Sequence, residues 1–303
     1  MGLNMTKDPA VRRFSIAGQE LRSPPQSAGL YLVATPIGNL RDITIRALET
    51  LAGADVIACE DTRVTRKLLD HYSIATPLTP YHEHNAASAR PKLLARLAAG
   101  ASVALVSDAG TPMISDPGYK LVRAAHDAGH PVTSLPGPSA LLAALTNAGL
   151  PTDHFFFEGF LPVKASQRNA RIAQLARIPA TLVLFESGPR LADALSALAL
   201  GLGDRQAAVC RELTKLHEEV RRDTLPRLAD DYAQGRETRG EIVIVVAPPD
   251  ASEAPPDPDQ LDAIIRGSLT RLSLKDAVSE VAQSTGVPRR EVYQRALVLA
   301  KEK

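Results

Sequence analysis

The stretch Ser107-Asp108-Ala109-Gly110-Thr111-Pro112 directly follows a short apolar run at residues 103–106. Two similar loops also follow short apolar runs: Ala34-Thr35-Pro36-Ile37-Gly38-Asn39-Leu40 and Pro136-Gly137-Pro138-Ser139-Ala140. Apolar runs without polar alternation are typical of buried strands, covered on both faces of a parallel sheet. Ligands of open α/β sheets bind beyond the carboxyl ends of the strands, where glycine lets the backbone approach them. The three loops therefore predict one shared pocket.

Composition excludes several classes of protein. The 303 residues include 45% hydrophobic and 23% charged residues and carry a net charge of +1, which is ordinary for a soluble globular protein. Binding of a polyanion must therefore depend on local basic patches. No apolar stretch approaches the roughly 20 residues of a membrane span, so we expect a cytoplasmic protein without a membrane partner. Cys59 and Cys210 lie in apolar runs and indicate buried positions, with neither a disulfide nor a metal site.

The chain divides into five predicted parts. Residues 1–27 are mixed in composition and predict a flexible tail. Residues 28–149 alternate strand-like and helical stretches, which predicts a parallel α/β domain, and 150–247 form a second α/β domain. Residues 248–258 are rich in proline and predict a semi-rigid linker. Helical periodicity over 259–303, interrupted by a glycine-bearing turn, predicts a helix-turn-helix-like unit.

Local patterns predict the main elements of the two α/β domains. Helices are predicted in the first domain over residues 42–51, 90–97, 119–128 and 139–147. Strands are predicted in the second domain over residues 154–157, 181–185, 206–210 and 241–246.

Carboxylates follow several of the predicted strands. Glu60 and Asp61, with Arg63 close behind, come after residues 56–59; Asp108 follows residues 103–107, and Asp116 precedes Pro117-Gly118. Carboxylates at strand ends commonly face the ligand crevice. Two alternatives stay open. Asp116 is equally well explained as a turn or cap residue. Glu60, Asp61 and Arg63 have a surface ion pair as their alternative, although two carboxylates beside an arginine at a strand end favour a functional role.

The loops favour a cationic or zwitterionic ligand. The chain contains neither a G-x-x-x-x-G-K-[ST] segment nor a G-x-G-x-x-G fingerprint, so the known phosphate-binding loops are missing. Asp108 makes the central loop acidic. S-adenosylmethionine, with a sulfonium and an amino group, has the charges that such a loop attracts.

Basic side chains gather at three places. Helix faces with many charges are usually only solvated, but in a near-neutral chain such clusters are also the right size to hold RNA phosphates. Lys215, which follows a predicted strand, is either a solvated strand end or a contact to substrate. The candidate RNA-binding residues are Arg66, Lys67, Lys164, Arg168, Arg171, Arg289 and Arg290.

Several segments of the chain carry a specific resemblance. They are residues 31–44, Cys59-Glu60-Asp61-Thr62-Arg63, residues 107–118, residues 136–140 and Gly159-Phe160-Leu161-Pro162. Together they resemble the ribosomal RNA small subunit methyltransferase I family, which belongs to the tetrapyrrole methylase-like enzymes. The likeness extends over about residues 29–246, and residues 274–299 resemble the small helical appendage of the family.

The resemblance implies a fold, a reaction and a set of site residues. It implies two α/β domains of the tetrapyrrole methylase type with a cofactor cleft between them, plus a small C-terminal helical unit, and typically a homodimer. The implied reaction is transfer of a methyl group from S-adenosylmethionine to the ribose 2′-hydroxyl of a cytidine in the decoding region of small-subunit ribosomal RNA. The substrate is either the free RNA or the assembled subunit. The residues expected around the cofactor are Pro36, Gly38, Ser107, Asp108, Ala109, Gly110, Thr111, Ser115, Asp116, Ser139, Ala140, Phe185, Glu186, Leu213 and Ile242.

A ribose hydroxyl is a poor nucleophile unless a general base accepts its proton. Glu60 and Asp61 are the first candidates for this base, followed by Asp116, while Arg63 and Lys215 are candidates for orienting the nucleotide. Two rival functions remain: methylation of a corrin or porphyrin by an enzyme of the same superfamily, and RNA binding without catalysis during ribosome assembly. A nucleotide-dependent oxidoreductase is disfavoured because the dinucleotide fingerprint is missing.

Overall fold

The computed structural model describes residues 12–116, 118–234, 239–249 and 256–301. Its first element is an antiparallel hairpin of β1 (Arg12–Ile16) and β2 (Gln19–Ser23). The prediction of a flexible tail over residues 1–27 is therefore wrong for 12–23, while 1–11 lie outside the described residues. Ala17 and Gly18 both have positive φ, 50° and 79°, as the central residues of a type I′ hairpin turn require.

The hairpin is part of the first core. Phe14 is 1% exposed and packs with the apolar side chains of the first sheet. Arg12 forms an ion pair with Asp55 at 2.7 Å and also donates hydrogen bonds to the carbonyls of Gly53 and Ala54. These contacts fix residues that composition alone marks as a tail.

The first lobe, residues 12–149, contains the predicted parallel sheet. Its five strands lie in the order β5-β4-β6-β3-β7, all parallel. Separate apolar clusters cover its two faces, as expected for a parallel sheet. The strands are β3 (Gly29–Val33), β4 (Val56–Cys59), β5 (Leu78–Pro80), β6 (Ser102–Val106) and β7 (Val132–Leu135).

Four helices connect these strands, and a fifth follows the last strand. The predicted helix over 42–51 starts later, because Thr44 caps it by accepting a hydrogen bond from the Ala47 amide, and Leu40–Asp42 form a separate 3₁₀ turn. The helix that begins at Thr62 was not among those predicted. The helices are α1 (Ile45–Gly53), α2 (Thr62–His71), α3 (Ala86–Ala98), α4 (Tyr119–Asp127) and α5 (Ala140–Asn147).

The second lobe, residues 150–249, contains a mixed sheet. Its strand order is β11-β10-β12-β9-β8, in which only the β8–β9 pair is parallel. The strands are β8 (Phe155–Phe160), β9 (Thr181–Ser187), β10 (Gln206–Arg211), β11 (Glu219–Thr224) and β12 (Glu241–Val246). The helices are α6 (Ala165–Leu175), α7 (Leu191–Leu202) and α8 (Leu225–Ala233).

Helix α5 joins the two lobes. Leu141, Ala144 and Leu145 pack against Val183 and Val243 on one face of the second sheet, within a shared apolar cluster. Helices α6, α7 and α8 contribute to the cluster on the opposite face. The carboxyl ends of the first-lobe strands are thereby brought next to strand ends of the second lobe.

The C-terminal unit is a three-helix cluster with a small core of its own. It consists of α9 (Pro258–Leu269), α10 (Leu274–Thr285) and α11 (Arg289–Lys301). Asp257 caps α9, so the helix begins within the predicted linker of 248–258, of which 250–255 lie outside the described residues. Gly286, at φ 68°, ends α10 at the predicted turn. Across the described parts of the chain, no helix combines the length and apolarity needed to cross a bilayer.

A truncation inside the hairpin tests its structural role. Replacing Phe14 by Ala should lower the free energy of unfolding by about 3 kcal/mol, because a fully buried aromatic side chain leaves a cavity. The measurement is denaturant unfolding followed by circular dichroism. The control Leu200→Ala, at a position that is 86% exposed, should change stability by less than about 0.5 kcal/mol. An equally small change for Phe14→Ala would show that the hairpin is not part of the core.

Candidate active site

A cavity of about 330 Å³ lies between the lobes and is called here the interlobe cavity. All three glycine-bearing loops reach it, through Ile37, through residues 108–111 and through Ser139 and Ala140. The prediction of one shared pocket is therefore confirmed. The sequence-predicted residues that line it are Glu60, Asp108, Ala109, Gly110, Thr111, Ser115, Asp116, Ser139, Ala140, Phe185, Glu186, Leu213 and Ile242.

Hydrogen bonds to backbone carbonyls hold the three loops together. The Thr35 and Gly110 amides each donate to the other residue's carbonyl at 2.9 Å, and the Thr111 hydroxyl donates to the Pro138 carbonyl at 3.0 Å. Gly110 has φ +76°, and a Cβ atom there would lie 3.3 Å from Cγ2 of Ile37. A side chain at this position would therefore strain the backbone and crowd the wall of the cavity.

Three carboxylates share the first-lobe side of the cavity. Burial, followed by the charge of Glu60, raises the pKa of Asp116 to about 6. Burial, followed by the charge of Asp108, raises the pKa of Glu60. Asp108 accepts a hydrogen bond from the Asp61 amide at 2.9 Å. The cavity is thus negatively charged, and its two perturbed carboxyls hold protons more tightly than free ones do.

Asp61 and Arg63 do not line the cavity. The Asp61 carboxylate caps α2 and accepts hydrogen bonds from the Arg63 backbone and guanidinium. These hydrogen bonds hold the pKa of Asp61 at about 2. This is the surface ion pair that the sequence left as the alternative, and it makes Asp61 a weak base.

Aromatic rings and a buried carboxylate form the second-lobe wall. Phe160 and Phe185 meet edge to face with ring centroids 5.7 Å apart. Glu186 is 3% exposed, and its Oε1 accepts a hydrogen bond from the Ser187 amide at 2.8 Å. Its Oε2 lies 3.3 Å from a guanidinium nitrogen of Arg190 but accepts no hydrogen bond. A buried acceptor is therefore left for a ligand at this wall.

Gly38 lies where the lobes touch rather than in the interlobe cavity. A Cβ atom on Gly38 would lie 2.3 Å from Cγ of Lys215, 2.9 Å from the Thr214 hydroxyl and 3.0 Å from the Leu213 carbonyl. Pro36, Gly38 and Ser107 line a neighbouring cavity instead. The first loop thus reaches the interlobe cavity only through Ile37.

Lys215 is part of an ion-pair network in the second lobe. Its ammonium group lies 2.8 Å from Glu212 and 3.1 Å from Glu241. It lines neither of these two cavities. The structure favours a structural position for this lysine over the predicted contact to substrate.

The candidate RNA-binding residues occupy different environments. Arg171 forms a two-bond ion pair with Glu158 at 2.6 and 2.7 Å, whereas Lys164 is exposed at the start of α6. Lys67 lines the neighbouring cavity. Arg289 and Arg290 border a surface pocket of the C-terminal unit. Of the remaining two, Arg66 is exposed and Arg168 is partly buried.

Sequence reasoning missed several lining residues. They are Ile37, Ile114, Phe160, Cys210, Glu241 and Val243. Ile37, Ile114 and Phe160 lie inside quoted segments but were not singled out, and the other three enter the cavity from strands that carry no motif.

The residues present fit the predicted cofactor, S-adenosylmethionine. The cavity combines apolar walls at Ile37, Phe185 and Leu213 with negative charge at Asp108. Apolar surface suits an adenine ring, and carboxylates suit the sulfonium and amino groups. The Oε2 of Glu186 is ion-paired with Arg190 but accepts no hydrogen bond, so it is available as an acceptor for such an amine. Among the described residues, no cluster of histidine, cysteine or carboxylate side chains has the arrangement of a metal site.

A side chain added at Gly38 tests the contact between the lobes. Gly38→Ala should lower the melting temperature and cost about 1–3 kcal/mol, because backbone and side-chain atoms of residues 213–215 must move apart. The measurement is thermal unfolding by circular dichroism. Gly267→Ala is the control, because open space surrounds this helical position and alanine favours a helix by up to about 1 kcal/mol. Unchanged stability in Gly38→Ala would contradict the tight contact.

Comparison with known proteins identifies the family. Residues 29–229 match the Tetrapyrrole (Corrin/Porphyrin) Methylases, and residues 255–300 match the RsmI C-terminal HTH domain. A protein of Mesorhizobium japonicum named ribosomal RNA small subunit methyltransferase I is 53% identical over 281 residues, which covers 92% of this chain and 95% of the relative. A protein of the same name from Erythrobacter litoralis is 50% identical, covering 91% and 96%.

Solved structures agree on the fold. Uroporphyrin-III C-methyltransferase from Thermus thermophilus, complexed with S-adenyl homocysteine, superimposes with a TM-score of 0.51 at 23% identity, covering 72% of this chain and 96% of that one. The predicted fold class, family and cofactor are confirmed. The chain belongs to the ribosomal RNA small subunit methyltransferase I family of the tetrapyrrole methylases, whose methyl donor is S-adenosylmethionine.

Proposed function

We propose that the protein methylates the ribose 2′-hydroxyl of a cytidine in the decoding region of small-subunit ribosomal RNA. The observation that carries the proposal is the interlobe cavity, in which three backbone loops meet carboxylates of raised pKa. The names of relatives such as the Mesorhizobium japonicum protein support ribosomal RNA as the substrate. The cytidine and its 2′-hydroxyl follow from the resemblance described above.

The proposed donor site is the interlobe cavity. S-adenosylmethionine supplies an electrophilic methyl group when bound, and the complex of the Thermus thermophilus relative supports a donor site in this fold. The loop backbones at Gly110 and Ala140 and the side chains of Phe185 and Leu213 would hold the donor. Orientation of the two reactants then contributes much of the rate, because methyl transfer requires in-line approach.

Asp116 is the general base that the site favours. A base with a pKa near the working pH accepts a proton well and is still ionised, and the pKa of Asp116 is raised to about 6. Glu60 lines the same cavity and also has a raised pKa. Asp61, with a pKa of about 2, is the weaker candidate. We therefore assign proton acceptance to Asp116, whose pKa is raised first by burial and then by the charge of Glu60.

The proposed RNA surface consists of exposed basic residues outside the cavity. Lys67 and Arg66 lie on α2 beside the first loop, and Arg289 and Arg290 lie at the start of α11. Lysine and arginine at such positions bind phosphates without regard to sequence. Arg171 contributes less, because Glu158 already binds its guanidinium group. The homodimer and the cytoplasmic location remain predictions.

Loss of the modification in cells tests the function. Deleting the gene should remove ribose methylation at one cytidine of small-subunit ribosomal RNA, read by mass spectrometry of nuclease fragments. Complementation with the wild-type gene should restore it. An unchanged set of ribose methylations would contradict the proposal. Changed corrin or porphyrin methylation instead would favour the alternative superfamily reaction.

Replacing the proposed base tests its role. Asp116→Asn should lower kcat by about 100-fold or more, the usual contribution of a general base. In the wild type, kcat should rise with pH through about 6 and then level off, because the raised pKa of Asp116 keeps the base protonated below that pH. The measurement is methyl transfer to small subunits at saturating donor, with donor affinity determined by calorimetry.

Two further variants complete this kinetic test. Asp127→Asn, on the exposed side of α4, controls for loss of a surface carboxylate and should leave kcat and the pH profile unchanged. Asp61→Asn keeps a residue able to cap α2 and compares the competing base directly. A larger loss of kcat in Asp61→Asn than in Asp116→Asn would overturn the assignment.

A further inference from the structure

A second cavity, of about 200 Å³, borders the interlobe cavity and is called here the α2 cavity. Asp108 lines both cavities and forms part of their common wall. The first loop contributes Pro36 and Leu40 to the α2 cavity, and helix α2 contributes Val64 and Lys67. A molecule lying in the α2 cavity is therefore directly beside the site proposed for the methyl donor.

The rim of the α2 cavity is apolar and accessible. Leu40 and Val64 are each 39% exposed, while Leu68 below them is 8% exposed. Ligand pockets are concave and lined mainly by apolar side chains with a few polar groups, as this cavity is. A sugar or a flat base has the size and the apolar faces to cover this rim.

The charge on this rim favours an anion. Lys67 is exposed, and in the described parts of the chain its ammonium group forms no ion pair. Arg66 is its exposed neighbour on α2. An ammonium group beside an apolar concavity matches a nucleotide, which places a phosphate next to a sugar and a base.

We propose that the α2 cavity binds the ribonucleotide that receives the methyl group. Lys67 contacts a backbone phosphate, and Leu40 and Val64 contact the sugar or the base. This inference rests on the proposed function, because it requires RNA as the substrate. It assigns Pro36, Gly38 and Ser107, which the family resemblance placed around the cofactor, to the nucleotide side of Asp108.

The shared wall explains why the two sites are adjacent. In-line transfer requires the acceptor oxygen to reach the methyl group and a proton acceptor together. Asp108 raises the pKa of Glu60 and of Asp116, though in each case less than burial does. Glu60 and Asp116 line the interlobe cavity together with Asp108, so a hydroxyl that passes Asp108 from the α2 cavity enters the cavity that contains the proposed base.

Two variants test whether the α2 cavity binds the nucleotide: one removes its positive charge and the other fills its volume. Lys67→Ala removes the cation and should lower kcat/KM for small subunits roughly tenfold. The slope of log affinity for RNA against log salt concentration should fall by about one. Val64→Trp fills the cavity from an exposed position and should lower kcat/KM at least as much. Lys92→Ala, an exposed lysine on α3, is the matched control and should change neither quantity.

The affinity for the methyl donor distinguishes a defect in nucleotide binding from a defect in donor binding. Calorimetry with S-adenosylmethionine should give wild-type affinity for both α2 variants, because the donor site is the neighbouring cavity. Weaker donor binding by Val64→Trp would assign the α2 cavity to the donor and overturn the inference. Unchanged kcat/KM in both variants, with an active wild type, would also overturn the inference but leave the proposed function intact. An inactive wild type that binds the donor would instead refute the proposed function.

Discussion

The site depends on the packing of helix α5 between the two lobes. Leu141, Ala144, Leu145 and Ala148 recur at helical spacing and are buried against Val183 and neighbouring apolar side chains of the second sheet. The alanines let the helix approach the sheet closely, as the 3.9 Å separation between Sγ of Cys210 and the Ala144 carbonyl shows. Because α5 starts at the third loop, this packing brings the first-lobe loops to the second-lobe wall. Neither lobe encloses the cavity alone.

The two cavities that Asp108 lines differ in charge. Burial, and after it the charge of neighbouring carboxylates, raises the pKa values of Glu60 and Asp116 in the interlobe cavity, which suits a cationic donor and a proton acceptor. On the other side, Lys67 supplies positive charge beside an apolar rim. The family requires a site for a sulfonium, and the proposed substrate requires one for a phosphate. The proposed arrangement places the sulfonium in the interlobe cavity and the phosphate beside Lys67, on opposite sides of Asp108.

The sequence was sufficient for the parts of the site that depend on local rules. Glycine-bearing loops after apolar runs predicted the shared pocket, and carboxylates at strand ends predicted Glu60, Asp108 and Asp116. Contacts between distant segments were not predictable. Lys215 was a candidate ligand contact because the sequence does not reveal its ion pair with Glu241. The two residues are 26 positions apart and meet only in the folded chain. Likewise, only the fold shows that Gly38 is needed for contact with residues 213–215.

Strands with little apolar content were also missed. The edge strand β11 reads Glu-Val-Arg-Arg-Asp-Thr, and the hairpin strand β2 is mostly polar. Both lie at sheet edges, where one side of a strand faces solvent and polar residues are favoured. The sequence also did not reveal which non-glycine residues adopt positive φ; they include Met113, Ser115, Glu212 and Thr214. Such backbone strain, typical of functional sites, is maintained by surrounding contacts rather than by the residue type.

The most direct test of this account is calorimetric titration of the donor product, S-adenosylhomocysteine, into the wild-type protein and into Ala140→Trp. Ala140 begins α5 and lines the interlobe cavity, so a tryptophan there should fill the donor site. One ligand should bind per wild-type chain, and binding should be lost in the folded variant. Equal binding by both proteins would show that the donor lies elsewhere and would contradict the account.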